Sequence, residues 1–164
     1  DNYNHIYQSD LCGWVGQIGF NKPSVYGANV YTAETNEDLS AVGFYATGKN
    51  TEYRVYVVEN FEDTGSFDHK KLAAEGSLKN AGYYTIPLEQ AISLEQGEKY
   101  AVMVYINTPE AIHPMAIEYA ADEATKNADL TDGEGYISAN GGRWDHVEET
   151  ASCNLCIKAY TKEN

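Results

Sequence analysis

Two alternating segments within residues 38–60 constrain the fold of this chain more than any other feature. In each segment apolar residues recur at every second position, the period of a β-strand with one buried face. The predicted buried positions are Val42, Phe44, Ala46, Tyr53, Val55 and Val57. Tyr45 and Tyr56 fall on the opposite faces, and a polar turn at residues 48–51 joins the two segments. The pattern predicts a β-hairpin.

Similar short segments occur along the rest of the chain, and no long segment has a helical period. Residues 99–106 are apolar on both faces, which is typical of a central strand. Residues 153–161 predict one final strand with Leu155, Ile157 and Ala159 facing inwards. Residues 120–134 are polar and predict a loop with a helical turn. We therefore expect an all-β fold, an antiparallel jelly-roll-like β-sandwich of about nine or ten strands, formed as a single domain by residues 1–164.

The charge of the chain excludes some classes of partner. Its formal net charge is -14, so its surface repels phosphate backbones and anionic membranes. No apolar run approaches the roughly 18 residues of a membrane span. We expect neither nucleic-acid binding nor membrane insertion. The negative charge would attract cations, or it would simply keep an extracellular protein soluble.

The sequence contains no recognisable catalytic motif. Four histidines occur, His5, His69, His113 and His146, but none lies in a known nucleophile or base signature. The 25 acidic residues offer many carboxylate pairs without a motif that selects one. We expect a binding domain rather than an enzyme.

Acidic loops provide candidate calcium ligands. Calcium takes six to eight oxygen atoms from carboxylates, amides and backbone carbonyls. The candidates are Glu34, Asn36, Glu37, Asp38 and Asp145, of which Glu37, Asp38 and Asp145 form the predicted metal site. The alternative is that these charges are solvated loop residues.

Aromatic residues provide candidate sugar-binding positions, because aromatic rings stack on the apolar faces of sugar rings. The chain has 14 tyrosines and two tryptophans. The aromatic candidates are Trp14, Trp144, Tyr26, Tyr31, Tyr45, Tyr56 and Tyr105, of which Tyr45, Tyr56, Trp14 and Trp144 form the predicted ligand site. The alternative is a purely structural role, since tyrosine suits strands and a turn tryptophan often covers a sandwich edge.

The three cysteines allow several interpretations. Cys153 and Cys156 form a CxxC pair, which is compatible with zinc, redox chemistry or a disulfide. No second pair completes a zinc site, and the pair lies in a predicted strand rather than at a helix start. A disulfide from Cys12 to Cys153 or Cys156 is one expectation, and three reduced, partly buried thiols are the other.

An ordered set of segments resembles a known family. These segments are HIYQSDLCGW, ANVYTAETNEDLSAVGFYATGKNTEYRVYVVEN, GSLKNAGYYTIPLEQAISLEQGEKYAVMVYI, GEGYISANGGRW and NLCIKAYT, and together they cover almost the whole chain. The sequence resembles the lectin-like domain found beside papain-like cysteine peptidase domains in clostridial and related Gram-positive surface proteins.

The resemblance implies a jelly-roll-like sandwich, a secreted or cell-surface location, a calcium ion in at least some members, and a peptidase domain in the same polypeptide. It implies a non-catalytic domain that recognises cell-wall polysaccharide or another glycan, although the sugar rests on fold analogy. The alternatives are a structural accessory that positions the peptidase and a protein-adhesion module. The family pattern YQYDPLG is YQSDLCG here, so a disulfide between Cys12 and Cys153 would be local to this chain.

Overall fold

The computed structural model describes residues 3–8, 14, 16–119, 134–147 and 153–164, and within these ranges it contains thirteen strands and one 3-10 helix. The strands are β1 (His5–Tyr7), β2 (Gly16–Ile18), β3 (Ser24–Thr32), β4 (Glu37–Ala46), β5 (Thr51–Val58), β6 (Lys71–Leu78), β7 (Gly82–Leu94), β8 (Lys99–Asn107), β9 (Met115–Tyr119), β10 (Glu134–Ser138), β11 (Asp145–His146), β12 (Cys153–Leu155) and β13 (Lys158–Glu163). The 3-10 helix, η1, spans Thr64–His69. Nearly all of the predicted loop at residues 120–134 lies outside the described residues.

The strands form three sheets in which all neighbouring strands are antiparallel. The first large sheet has the order β1-β13-β4-β7, the second has the order β11-β10-β3-β8-β5-β6, and a small sheet has the order β12-β9-β2. This confirms the predicted all-β sandwich. The strand count exceeds the prediction because β1, β2, β11 and β12 have only two or three residues each. Within the described ranges, no helix has the length and apolar character needed to cross a bilayer.

The main core lies between the two large sheets. Val42 and Phe44 of β4 pack in the same buried cluster as Val55 and Val57 of β5. The rings of Phe44 and Tyr53 meet with their centroids 5.5 Å apart. The predicted buried faces of both segments are therefore confirmed.

The predicted hairpin between these two segments is wrong. Strand β4 pairs with β13 and β7, whereas β5 pairs with β8 and β6, so the turn at residues 48–51 carries the chain from one sheet to the other. Crossing between sheets lets the two apolar faces pack against each other, while a hairpin would place them side by side on one sheet. Tyr45 and Tyr56 consequently lie on opposite outer surfaces of the sandwich.

The predicted final strand is interrupted, although its inward residues are confirmed. It divides into β12 and β13, which belong to different sheets, and Leu155, Ile157 and Ala159 are all buried in the main core. At the break, the Asn29 amide donates to the carbonyls of Leu155 and Ile157 at 3.2 and 2.9 Å. A buried side chain thus replaces the ladder hydrogen bonds that the interrupted backbone loses.

A second, smaller core covers part of the outer surface of the six-stranded sheet. The segment between β5 and β6 contains η1, whose Asp63 cap accepts a hydrogen bond from the Gly65 N–H at 2.9 Å. Phe61 and Phe67 of this segment pack with Met103 and with other residues that face away from the main core. This second core leaves the rest of that outer surface open.

A buried carboxylate, that of Glu37, joins the two ends of the chain to β4. Glu37 accepts hydrogen bonds from the Tyr7 hydroxyl at 2.9 Å, from the backbone and hydroxyl of Thr35 at 2.9 and 3.1 Å, and from the Thr161 hydroxyl. Burial alone would raise the pKa of Glu37, but these hydrogen bonds outweigh it and hold the pKa below its ordinary value. Burial also raises the pKa of Tyr7, which keeps its hydroxyl a donor.

We predict that Glu37→Gln lowers the free energy of unfolding by about 2 kcal/mol at neutral pH, because hydrogen bonds to a charged group are lost and an amide N–H meets several donors. The folded pKa lies below the ordinary value of 4.5, so the stabilisation is complete above 4.5 and is lost as the pH falls through the folded pKa. Urea unfolding across this range should show the difference from wild type shrinking with acidity. Glu89→Gln, at an exposed position of β7, is the control, and an equal effect there would contradict the prediction.

Candidate functional site

Five aromatic rings form a continuous row across the outer surface of the four-stranded sheet. We call this set, Trp14, Tyr45, Tyr83, Tyr160 and Tyr3, the aromatic row. Ring centroids are 5.3 Å apart for Trp14 and Tyr45, 5.0 Å for Tyr45 and Tyr83, and 5.1 Å for Tyr160 and Tyr3. Tyr83 and Tyr160 are joined by a hydrogen bond between their hydroxyls. The row therefore includes two of the four predicted ligand residues, Trp14 and Tyr45.

The pairing of the strands explains how the row forms. Tyr45 on β4 is the cross-strand partner of Tyr83 on β7, and Tyr160 lies on β13, the other neighbour of β4. Gly43 lies between them on β4. A Cβ atom at Gly43 would overlap the Tyr83 hydroxyl and lie 2.9 Å from Cε2 of Tyr160. The absent side chain is thus what allows the two tyrosines to meet.

The row presents apolar surface to solvent. Trp14 and Tyr83 are 38% and 37% exposed, and Ile6, the cross-strand partner of Tyr160, is 53% exposed. A contiguous exposed patch of this kind usually marks an interaction site. At the far end, the Lys162 ammonium lies 5.5 Å from the centroid of the Tyr3 ring, so a cation borders the patch.

The other two predicted ligand residues lie on the opposite side of the sandwich. Trp144 is half-buried and stacks on Phe67, with ring centroids 4.4 Å apart, so it helps to cover the second core. Tyr56 borders the same core and accepts a hydrogen bond from Arg54 at 3.2 Å. The four predicted residues therefore do not form one site, and ligand binding by Tyr56 or Trp144 remains a prediction.

The three predicted metal ligands also divide between the two sides. Glu37 and Asp38 lie on β4, whereas Asp145 lies on β11 of the other large sheet. The Glu37 carboxylate already accepts hydrogen bonds from Tyr7, Thr35 and Thr161, so an ion at Glu37 would have to displace these donors. Calcium binding by Glu37, Asp38 and Asp145 remains a prediction. Among the described residues, no group of three or more His, Cys, Asp or Glu side chains is arranged to hold a metal.

A different pair of residues has chemistry that fits calcium. Glu118 on β9 and Asn154 on β12 are cross-strand partners, and both are fully buried. Their neighbours along each strand, Ile117 and Leu155, belong to the main core, so Glu118 and Asn154 share the opposite face of the small sheet. Neither polar atom of the Asn154 amide has a hydrogen-bond partner in the part of the chain that the structure describes. A buried amide oxygen without a donor is costly, and an oxygen-seeking cation would relieve the cost of that oxygen.

Cys153 and Cys156 are both buried. Cys12 lies outside the described residues, so the disulfide from Cys12 to Cys153 stays a prediction.

The sequence could have indicated more of the aromatic row than was predicted. In GYYTIPL the inward positions are Tyr84, Ile86 and Leu88, so alternation places Tyr83 outwards. Ala159 is buried, so the same alternation places its neighbour Tyr160 outwards. Nothing local, however, shows that the two tyrosines are neighbours, because they are 77 residues apart in the chain.

The family of the chain follows from a sequence comparison. Residues 6–161 match the sequence model of a protein family that is described as the lectin-like domain. No curated protein sequence matches the chain.

Two solved structures are similar to this chain, which is consistent with the family match. The chain is 25% identical to the clostridial cysteine protease Cwp84 after propeptide cleavage, with a TM-score of 0.77, over 100% of this chain and 41% of that one. It is 24% identical, with a TM-score of 0.72, to the crystal structure of the cysteine protease and lectin-like domains of Cwp84, a surface layer associated protein of Clostridium difficile. That match covers 100% of this chain and 37% of the other, so this chain spans well under half of each structure.

We predict that Gly43→Ala separates Tyr83 from Tyr160 and lowers the free energy of unfolding by about 1–3 kcal/mol, because the added methyl group has no space. Urea unfolding measures the stability, and near-ultraviolet circular dichroism reports the tyrosine environment. The control is Gly142→Ala, where the nearest atom, Oδ1 of Asn140, would lie 3.7 Å from the new Cβ. Equal effects of the two substitutions would show that the close approach over Gly43 is unimportant.

Proposed function

The chain belongs to the lectin-like domain family, and on that premise we propose that it is a non-catalytic extracellular domain that binds cell-wall polysaccharide or another glycan as an accessory to a cysteine peptidase. The peptidase would lie in the same polypeptide, outside this chain. Cwp84 has a cysteine protease domain and a lectin-like domain, and this chain matches the lectin-like family. The surface-layer association of Cwp84 supports a secreted or cell-surface location here as well.

The observation that carries the proposal is the aromatic row. A sugar ring has an apolar face formed by its C–H groups and a polar edge formed by its hydroxyls. An exposed ring such as Trp14 or Tyr83 offers the matching apolar surface, and tyrosine hydroxyls at the ring edges offer hydrogen bonds. Because the rings lie side by side over β13, β4 and β7 and beyond them, they suit several successive units of an extended polymer better than one isolated sugar.

A second function is favoured by one end of the row. Ile6 is more than half exposed next to Tyr160, and an aliphatic side chain has no stacking role in sugar recognition. This end of the row would suit a contact with the peptidase domain, in which case the chain is a structural accessory that positions the enzyme. The two functions predict different losses when the row is altered: the first predicts a loss of glycan binding, and the second predicts a loss of the contact with the peptidase domain.

We predict that Trp14→Ala weakens binding of the chain to insoluble wall polysaccharide by about tenfold, near 1.4 kcal/mol, because a stacking surface is removed. Sedimentation with purified cell walls measures the binding. The matched control is Leu72→Ala, since Leu72 is 48% exposed but lies on β6 of the other sheet.

Tyr83→Phe, which keeps the ring and removes the hydroxyl, should retain most of the binding. If Trp14→Ala leaves wall binding unchanged but releases the separately expressed peptidase domain from this chain, the structural function replaces the proposed one.

Calcium binding is a further part of the proposal. We propose that Glu118 and Asn154 contribute oxygen ligands to a calcium ion that stabilises the small sheet. Calcium takes carboxylate and amide oxygens, which this pair supplies in one buried location. The ion would tie β9 to β12 and would have no role in catalysis.

We predict that calcium raises the melting temperature of the chain and that a chelator reverses the change, because a ligand of the folded state stabilises it by mass action, by about 2.7 kcal/mol at a hundredfold excess over Kd. Scanning calorimetry measures the shift. Asn154→Ala should abolish the calcium-dependent shift. Glu37→Gln should lower the melting temperature without calcium but retain the shift when calcium is added. The reverse pattern would place the ion at Glu37, as the sequence predicted.

A further inference from the structure

The uncovered part of the six-stranded sheet presents an ordered set of polar and aromatic side chains. The second core covers the outer surface of the sheet from Met103 onwards. The residues beyond it lie in two cross-strand rows, Glu75, Arg54 and Tyr105 in one and Ser77, Glu52 and Asn107 in the other. A shallow groove on this surface is lined by Glu52, Arg54, Glu75, Tyr105 and Asn107, together with Tyr53 and Gly76 at its edge. We call the first five residues the polar platform.

Arg54 is held in the centre of the polar platform by uncharged groups. Its guanidinium lies 4.5 Å from the centroid of the Tyr105 ring, and Nη1 donates to the Tyr56 hydroxyl at 3.2 Å. Glu75 is its cross-strand partner, yet Arg54 forms no ion pair with any described carboxylate. Most of its five N–H donors therefore remain available to a ligand, in a fixed orientation.

The composition of the platform selects the class of ligand. Arg54 supplies donors, Glu52 and Glu75 supply acceptors, and the Asn107 amide supplies both. Two carboxylates beside the arginine repel an anion, as does the net charge of -14. The surface as a whole attracts cations, but the guanidinium at the centre of the platform opposes a cation at that point. A hydroxyl group both donates and accepts, so a pair of adjacent hydroxyls can take a hydrogen bond from the guanidinium while giving one to a carboxylate.

We propose that the polar platform is a binding site for a neutral saccharide, with Arg54 and the flanking Glu52 and Glu75 recognising vicinal hydroxyl groups. The site is separate from the aromatic row, because β5 and β8 belong to the sheet on the other side of the sandwich. It does not depend on the function proposed for that row. Two sites on opposite sides would let one domain engage two glycan segments at once, which raises the overall affinity for a polymer.

The arginine side chains provide a direct readout. The chain has two arginines, Arg54 in the platform and Arg143 in the exposed turn before β11, so an ¹⁵N-edited spectrum contains two Nε–Hε signals. We expect titration with neutral methyl glycosides of glucose, mannose, galactose and N-acetylglucosamine to shift the Arg54 signal and leave that of Arg143 in place. The series should extend to about 50 mM, well above a Kd of about 1 mM.

Substitutions distinguish binding at the platform from binding at the aromatic row. Arg54→Met retains the length of the side chain and removes every donor, and it should weaken the binding at least tenfold, as followed by backbone amide shifts of β5 and β8. Arg143→Met is the matched control and should have no effect. Trp14→Ala should leave the shifts at Arg54 intact even if it abolishes wall binding, so the two sites can fail independently.

Three results would overturn the proposal. Binding of glucuronate without any neutral sugar would make the platform an anion site. Equal shifts at Arg54 and Arg143 would indicate non-specific association. The absence of any shift at Arg54 across the whole series would mean that the platform does not recognise neutral saccharides.

Discussion

The hydrogen-bonded carboxylate of Glu37 is the interaction on which the four-stranded sheet depends. It joins Tyr7 from β1 and Thr161 from β13 to the start of β4, so both ends of the described chain are tied to one central strand. The aromatic row lies on the outer surface of these same strands: Tyr3 and Tyr160 come from the two ends of the chain, and Tyr45 comes from β4. A loss of the Glu37 interactions would therefore disturb the aromatic row as well as the stability of the sheet.

The repeated crossing of the chain between sheets decides how its aromatic residues are distributed. Each strand has one face in the main core, so the alternate residues of successive strands emerge on opposite sides of the sandwich. One side collects the apolar aromatic row, and the other combines a covered second core with the polar platform. The two exposed surfaces differ in chemistry because they are formed by different strands, and they can evolve or be altered separately.

Strand alternation in the sequence was sufficient to predict which residues are buried, but not which strands are paired. The inward positions Val42 and Val55 were predicted correctly, and β8 was correctly predicted as a central strand, because burial leaves a local pattern. Pairing depends on contacts between distant segments, and for that reason the hairpin was wrong. Glu37 shows the same limit, because nothing nearby in the sequence reveals that its carboxylate is buried against donors 30 and 124 residues away.

The location of both candidate surfaces on strands has a physical consequence for binding. A side chain on a loop loses conformational freedom when a ligand orders it, and that loss reduces the affinity. Here Tyr83 and Tyr160 are already joined through their hydroxyls over Gly43, and Arg54 is already stacked on Tyr105. The entropy of orienting these groups has been lost on folding, so weak individual contacts with a sugar contribute more of their energy to binding. Under the proposed function, this pre-organisation would favour binding of a polymer along these two exposed surfaces.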